Sequence, residues 1–283
     1  MIKVFHQLSD FKAARNLCEN KSIGLVPTMG NLHAGHLSLV QESLKKNDLT
    51  IVTIFVNPTQ FGPNEDFATY PRTLEQDLKL IEEFNTDHKE IWVLAPENPQ
   101  DIYPNGFATS ISVAGELTNK WCGPIRPGHF AGVATVVYLL FAHTKPHRAY
   151  FGQKDYQQTL VIKRMTADLL LPVEIIVLPI VRDDSGLALS SRNQYLTQDQ
   201  RTDALHLFSS LKKLEDMIEL NQWREAVALA KEIVDNDSRF DYLEVLDADL
   251  LTVANSSTKN FVIAGVLVIG KTRLLDNLLL EKK

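Results

Sequence analysis

Apolar residues in the first two thirds of the chain form short continuous runs that alternate with stretches of helical spacing. Ile2–Phe5, Ile23–Pro27, Leu49–Val56, Glu90–Leu94, Ala149–Phe151 and Val173–Leu178 read as strands. Leu49–Val56 is β-branched and aromatic, apolar enough to be buried on both faces. Between the strands, Phe11, Ala14, Leu17 and Cys18 share one helical face, with Ser9 or Asp10 as the cap. Further helices are predicted from about Gly35 to Lys46, Thr73 to Phe84, Ala131 to His143 and Tyr156 to Leu170. A strand is expected at Ala108–Val113, and Trp121–Gly132, rich in glycine and proline, reads as a functional loop. Strands and helices in this rhythm predict an α/β fold, a doubly wound parallel sheet of the Rossmann-like type.

The pattern changes after about Ile180. Thr197 caps a long amphipathic helix to Leu220, Gln222–Val234 supplies another, and strands are expected at Phe240–Leu246 and Phe261–Ile269 with a last segment at Arg273–Leu280. Helices followed by strands predict a smaller C-terminal α+β domain. Pro179 interrupts the last run of the first part, so the domains are expected to span 1–178 and 179–283.

Composition narrows the function classes. With 283 residues, 45% hydrophobic and 23% charged, the chain is that of an ordinary globular protein. Its net charge of −6 argues against a general nucleic-acid surface, so an anionic substrate must be received by a local basic cluster. Cys18 and Cys122 lie far apart and suggest neither a disulfide framework nor a cysteine metal site. No signal peptide and no membrane-spanning run are expected, which makes a reducing cytoplasm the default.

Candidate chemistry gathers where each strand ends, the edge at which open α/β sheets bind ligands. Thr28-Met29-Gly30-Asn31-Leu32-His33-Ala34-Gly35-His36 joins a buried strand to the start of a helix, whose unpaired N–H groups favour phosphate. Two imidazoles three residues apart add donors, or a charge if protonated; a metal pair is the competing reading, though zinc pairs on helices sit four apart. Asn57 and Gln60 end the third strand and can orient a carboxylate or hydroxyl without adding charge, with Met29 and Phe61 as apolar walls. Phe151-Gly152-Gln153-Lys154-Asp155 reads from its sequence first as a β-turn with an exposed lysine; the functional alternative is that Lys154 offers a point charge for phosphate and Asp155 a partner for a ribose hydroxyl or a metal. Ser190, Ser191 and Arg192 form a phosphate cradle as well as a helix cap. Arg126 and His129 resemble a mobile anion-binding loop, while Asp77, Asp183 and Asp184 read as surface residues.

The segments VPTMGNLHAGH, IFVNPTQFGPNEDFATYPRT, RPGHFAGV, YFGQKDYQQ and GLALSSRNQYL, in this order, together with the terminal LLDN, resemble the pantoate–β-alanine ligase family of the HIGH-motif nucleotidyltransferases. The resemblance implies that the domain at 1–178 binds nucleotide and pantoate, with 179–283 as a lid. It implies MgATP-dependent formation of pantoyl adenylate and pyrophosphate, then attack by β-alanine to give pantothenate and AMP, in a homodimer. By motif position, Gln60 and Gln158 would hold pantoate with Met29 against it, and Asn57 nearby. His33 and His36 would contact the ATP phosphates, with Met29 close to the nucleotide as well. Lys154 would steady the transition state, and Ser190, Ser191 and Arg192 would clasp the outer phosphates. Gly152 and Asp155 would lie near the ribose, Val181 and Leu189 near adenine, and Tyr70, Arg126 and His129 would line the site. No metal ligand is assigned.

Two positions depart from the family pattern. Gln153 stands where glutamate is common, and Cys122 stands where an acidic residue precedes glycine. A nucleotidyltransferase that stops at nucleotidyl transfer would share the HxxH turn but not need the Asn57–Gln60 pocket. A non-catalytic nucleotide-binding protein would be expected to lack Lys154 or Arg192, and an aminoacyl-tRNA synthetase fragment is at odds with the acidic balance.

Overall fold

The computed structural model describes residues 2–63 and 65–281. Its strands in the first part are β1 (Ile2–Phe5), β2 (Ile23–Thr28), β3 (Leu49–Ile54), β4 (Ile91–Leu94), β5 (Arg148–Gly152) and β6 (Glu174–Leu178). They form one parallel sheet in the order β1-β4-β3-β2-β5-β6. The helices are α1 (Leu8–Asn16), α2 (Ala34–Lys46), α3 (Leu74–Phe84), the short α4 (Glu116–Asn119) and α5 (Cys122–Ile125), α6 (His129–Thr144) and α7 (Tyr156–Asp168).

Alternation along the central strands sorts side chains to two sides. Leu25, Ile51 and Trp92 join a core with Phe11, Val133 and Val161, while their neighbours Val26, Val52 and Val93 pack with Leu39, Val40 and Ile81. The winding reverses between β2 and β5, which lie side by side. Their carboxyl ends, Thr28 and Gly152, therefore open onto the crevice where such sheets take ligands.

The second part contains α8 (Gln198–Glu219), α9 (Trp223–Asn236) and an antiparallel sheet of β7 (Phe240–Asp247), β8 (Asn260–Ile269) and β9 (Thr272–Glu281). Strand alternation again divides the burial. Phe261, Ile263 and Leu267 face α8 and α9, whereas Val262 and Ala264, with Leu246 and Leu251, join the core of the first sheet. Trp121 stacks on Tyr242 at 5.4 Å and donates to Glu244 Oε2 at 2.7 Å, and Tyr156 Oη donates to the Ala248 carbonyl at 2.7 Å. Parting the two units would expose several apolar side chains, each worth roughly 1.5–3 kcal/mol when fully buried.

Some local expectations fail for identifiable reasons. Residues 108–113 form no strand: they run beside α6, where Ile111 N–H bonds to Thr135 Oγ1 rather than to a sheet edge. The stretch 121–132 is largely helical, with α6 starting at His129. Helix α1 begins after Gln7, so Ser9 and Asp10 fall inside its first turn, and Leu17 is 87% exposed beyond its end. Asp77 is not a surface residue; it is 2% exposed.

Candidate active site

The turn between β2 and α2 is fixed by its own polar groups. His33 is the N-cap of α2, and its Nδ1 accepts the Gly35 N–H at 3.1 Å. His36 Nδ1 accepts the His33 N–H at 3.3 Å, closing a capping box built from two imidazoles. An Nδ1 that accepts carries no proton, so in both neutral rings the hydrogen sits on Nε2. The rings lie 4.1 Å apart. Burial, then the Lys154 charge, lowers the His33 pKa to about 4; burial and His33 lower that of His36 to about 3. Near neutral pH this turn presents N–H dipoles and no full charge. Gly35 is required because a Cβ there would lie 2.9 Å from His33 Cε1.

Beneath the turn sits Asp77, whose two oxygens accept the Asn31 and Leu32 N–H groups at 3.0 and 2.7 Å, with Thr73 Oγ1 at 3.2 Å. Burial raises its pKa, and these hydrogen bonds oppose the rise. Its place among Leu74, Leu78 and Ile81 on one face of α3 is the sequence signal for its burial.

The loop after β3 carries an uncharged wall. Asn57 is 1% exposed, and its amide nitrogen donates to Gln60 Oε1 at 3.1 Å and the Gly132 carbonyl at 3.3 Å. Its Oδ1 accepts from Thr59 N–H, Thr59 Oγ1 and Tyr103 Oη. Gly132 allows α6 this close: a Cβ there would lie 2.3 Å from the Thr59 carbonyl oxygen. Gln60 Nε2 reaches Met29 Sδ at 3.2 Å, a weak acceptor.

Behind Gln60, Arg126 grips Glu65 through Nε at 2.6 Å and Nη2 at 2.5 Å. Arg126 Nη1 lies 2.9 Å from His129 Nε2, and His129 Nδ1 lies 2.8 Å from the Gln60 carbonyl oxygen. A guanidinium only donates, so His129 Nε2 accepts and Nδ1–H donates to Gln60. Burial, followed by the Arg126 charge, lowers the His129 pKa to about 4. Arg126, paired with Glu65, and His129 thus brace the Gln60 backbone while bordering the cavity. Glu65 and Tyr103 complete this wall; neither stands out in the sequence as a site residue, although Glu65 lies inside one of the quoted motifs.

The opposite wall is cationic. Lys154, on the turn leaving β5, is 20% exposed and lies 3.7 Å from Asp155 Oδ1. Desolvation within the cavity works to raise the Asp155 pKa, although about half of its side chain is exposed, and the charges of Lys154 and Arg192 hold it below the usual carboxylate range. Residues Val181 to Leu189 form a small hairpin, with Leu189 N–H bonded to the Val181 carbonyl at 2.9 Å and Arg182 bridged to Ala188. The hairpin leads to Ser190, which caps a 3-10 turn by accepting the Arg192 N–H at 3.2 Å. Arg192, 37% exposed, reaches Asp66 at 3.3 Å. Burial raises the Tyr70 pKa despite the opposing Ser191 hydroxyl.

One cavity of about 250 Å³ is lined by Met29, His33, His36, Asn57 and Gln60. Tyr70, Arg126 and His129 contribute to it, as do Gly152, Lys154, Asp155 and Gln158. Val181, Leu189, Ser190, Ser191 and Arg192 line it as well. A Cβ on Gly152 would meet nothing within 4 Å, so the backbone there borders open space. The Gln158 side chain has no hydrogen-bond partner among the described residues, whereas that of its neighbour Gln157 is fully engaged with Leu117, Lys120 and Cys122. Amide and cationic side chains thus line one space of small-molecule size.

The Pantoate-beta-alanine ligase family model matches residues 3–279. The pantothenate synthetase of Moorella thermoacetica is 52% identical over 264 residues, covering 92% of this chain and 91% of the relative. That of Acetivibrio thermocellus is 47% identical, covering 99% and 100%. The crystal structure of the pantothenate synthetase from Thermus thermophilus superposes with a TM-score of 0.87 at 41% identity, covering 98% of each chain. A pantoate-beta-alanine ligase from Francisella tularensis, complexed with beta-gamma ATP and beta-alanine, gives a TM-score of 0.73 at 35% identity over 99% and 98% of the two chains. With its sequence matched almost end to end and its fold shared, the chain belongs to the pantoate–β-alanine ligase family.

Proposed function

We infer that the chain condenses pantoate with β-alanine in this cavity, using ATP and releasing AMP and pyrophosphate through pantoyl adenylate. The observation that carries the assignment of the site is the mixed lining of one cavity, where amide side chains and cationic side chains meet. In the first step a pantoate carboxylate oxygen bonds to the α-phosphorus while the bond to the bridging oxygen breaks, and pyrophosphate leaves with that electron pair. In the second step the β-alanine nitrogen bonds to the acyl carbon, the amine loses a proton, and AMP departs. The mixed anhydride carries the activation, so no protein nucleophile is required. The protein's part is to position two anions and to stabilise charge on phosphate.

Gln60 and Gln158 hold pantoate, with Met29 as its apolar wall; Asn57 acts by fixing the Gln60 amide. Arg126 and His129 act through the Gln60 backbone, and Tyr70 flanks the Ser191 hydroxyl. The Nε2–H groups of His33 and His36 donate to ATP phosphate at the start of α2, where an anion gains about 0.3–1 kcal/mol from the helix dipole. Lys154 neutralises the transferring phosphoryl group, and Ser190, Ser191 and Arg192 clasp the departing pyrophosphate. Gly152 and Asp155 border the ribose, and Val181 and Leu189 the adenine. The Francisella relative is complexed with beta-gamma ATP and beta-alanine, which supports the use of both molecules by this chain.

ATP is used as its Mg2+ complex, the ion neutralising phosphate charge. Mg2+ takes phosphate oxygens with one or two carboxylates, and Asp155 is the acidic side chain lining the cavity. Among the described residues no group of three His, Cys, Asp or Glu side chains could hold a metal independently.

Residues 1–178 are the catalytic domain, and residues 179–283 carry the phosphate-clasping segment as a lid. The chain is read as a homodimer through its first domain, as the family resemblance implies. Two separated free thiols fit the cytoplasm; no described helix is long and apolar enough to cross a membrane. The test is a quench experiment with enzyme, MgATP and pantoate alone. About one equivalent of pyrophosphate should form per active site with AMP released only after β-alanine is added; AMP release without the amine contradicts the two-step reading.

A further inference from the structure

The terminal strand places two consecutive buried polar residues behind the cationic wall. Asn277 on β9 is 2% exposed, and its amide nitrogen lies 3.1 Å from the Gln153 carbonyl oxygen and 3.0 Å from that of Lys154. Its Oδ1 accepts from Gln153 Nε2 at 3.0 Å. Two carbonyl acceptors on one side fix the orientation of this amide, because only its NH2 group can serve both. Its side-chain hydrogen bonds therefore all hold the single turn that carries Lys154.

The preceding residue holds the other arm. Asp276, 4% exposed, grips Arg182 through its Nη1 and Nη2 atoms at 2.5 and 2.8 Å. The same guanidinium donates to the Gly186 carbonyl at 3.1 Å and lies 4.0 Å over the Phe208 ring. Arg182 and Gly186 belong to the hairpin that leads into Ser190–Arg192. Successive residues on a strand point to opposite sides, so one dipeptide reaches both loops.

We propose that Asp276 and Asn277 are positioning residues that set the separation between Lys154 and the Ser190–Arg192 segment, with Asn277 acting on adenylation through the Lys154 turn. The proposal rests on the reading of Lys154 as a phosphate-neutralising group. A lysine displaced by even 1 Å from the transferring phosphoryl group loses much of its effect. The loop-borne lysine has no strand or long helix of its own, so its aim depends on the amide behind it. Gln153 takes part as the hydrogen-bonded neighbour of Asn277, a role that an amide fills without bringing a second charge beside Lys154.

The test is a double-mutant cycle on single-turnover pantoyl-adenylate formation, with Lys154→Ala, Asn277→Ala and the combined variant. Asn277→Ala is expected to slow adenylation about 10–100-fold at saturating ATP and pantoate, and to leave the reaction of preformed adenylate with β-alanine within about 2-fold. In the Lys154→Ala background the same change should add less than about 3-fold, because the group it aims is gone. Gln153→Ala, which leaves the buried Asn277 in place, should slow the same step about 3–10-fold and covers the case in which Asn277→Ala does not fold. Losses that multiply in the double variant, or that fall equally on both half-reactions, overturn the proposal. If Lys154→Ala itself leaves adenylation unchanged, the assignment of Lys154 fails, a result separate from a failure of Asn277 alone.

Discussion

The two walls of the cavity are built in opposite ways. The wall assigned to pantoate is uncharged at its surface and braced from behind. Asn57 is fully hydrogen-bonded, Gln60 is held at its side chain and its carbonyl, and Arg126 is neutralised by Glu65. The wall assigned to phosphate keeps its charges on short turns, partly exposed, and draws its support from the C-terminal sheet. The difference follows from the chemistry asked of each. Choosing one small hydroxy acid needs fixed donors and acceptors, since a misaligned buried amide loses about 1–3 kcal/mol. Pyrophosphate must bind during reaction and then leave, a task that suits the long cationic side chains proposed to contact it.

This contrast is broken most directly on the cationic side. Lys154→Ala should slow adenylate formation about 10²–10³-fold, the range for removal of one donor aimed at developing charge, with thermal unfolding unchanged within a few degrees. Unaltered single-turnover formation of the adenylate contradicts the assignment. On the amide side, Gln60→Ala should weaken pantoate about 10–100-fold in a binding titration and ATP by no more than about 2-fold. Equal losses for both ligands place Gln60 outside the acid pocket.

The smallest expected effect on rate concerns pH. Burial keeps His33, His36 and His129 neutral in the folded chain down to about pH 4 or below, whereas the unfolded chain protonates them near pH 6.5. The unfolded state then binds more protons, so these groups make stability fall as pH drops from about 6.5 towards 4. Denaturant midpoints should decline across that window, and the adenylation rate should show no break near pH 6.5 from either HxxH histidine. A stability that rises as the solution is acidified over this range contradicts the neutral tautomers described here.

Much of this was legible in the sequence because the signals are local. Short continuous apolar runs mark all six parallel strands, and the residues that differ in character from their surroundings stand at the strand ends. The five motifs also brought together residues that line one cavity. What sequence reading missed depends on contacts between distant segments. Asp77 lies 45 residues from the turn it secures and looks like an ordinary helical acid unless its face on α3 is counted. Asn57, Arg126 and His129 were visible as polar loop residues, but only the fold reveals that their hydrogen bonds are already engaged. Asn277 stands more than 120 residues from Lys154, in a strand whose other positions are mostly apolar. The segment at 108–113 has strand-like spacing, yet periodicity cannot say whether a sheet edge is available.

The central claim is that both walls serve one adenylation centre, and exchange of labelled pyrophosphate into ATP tests it most directly. With MgATP and enzyme, exchange should be absent until pantoate is added and should not require β-alanine. Lys154→Ala should suppress it at saturating pantoate, and Gln60→Ala should restore it only at much higher pantoate concentrations. Exchange without pantoate, or exchange that proceeds unchanged in both variants, contradicts the account.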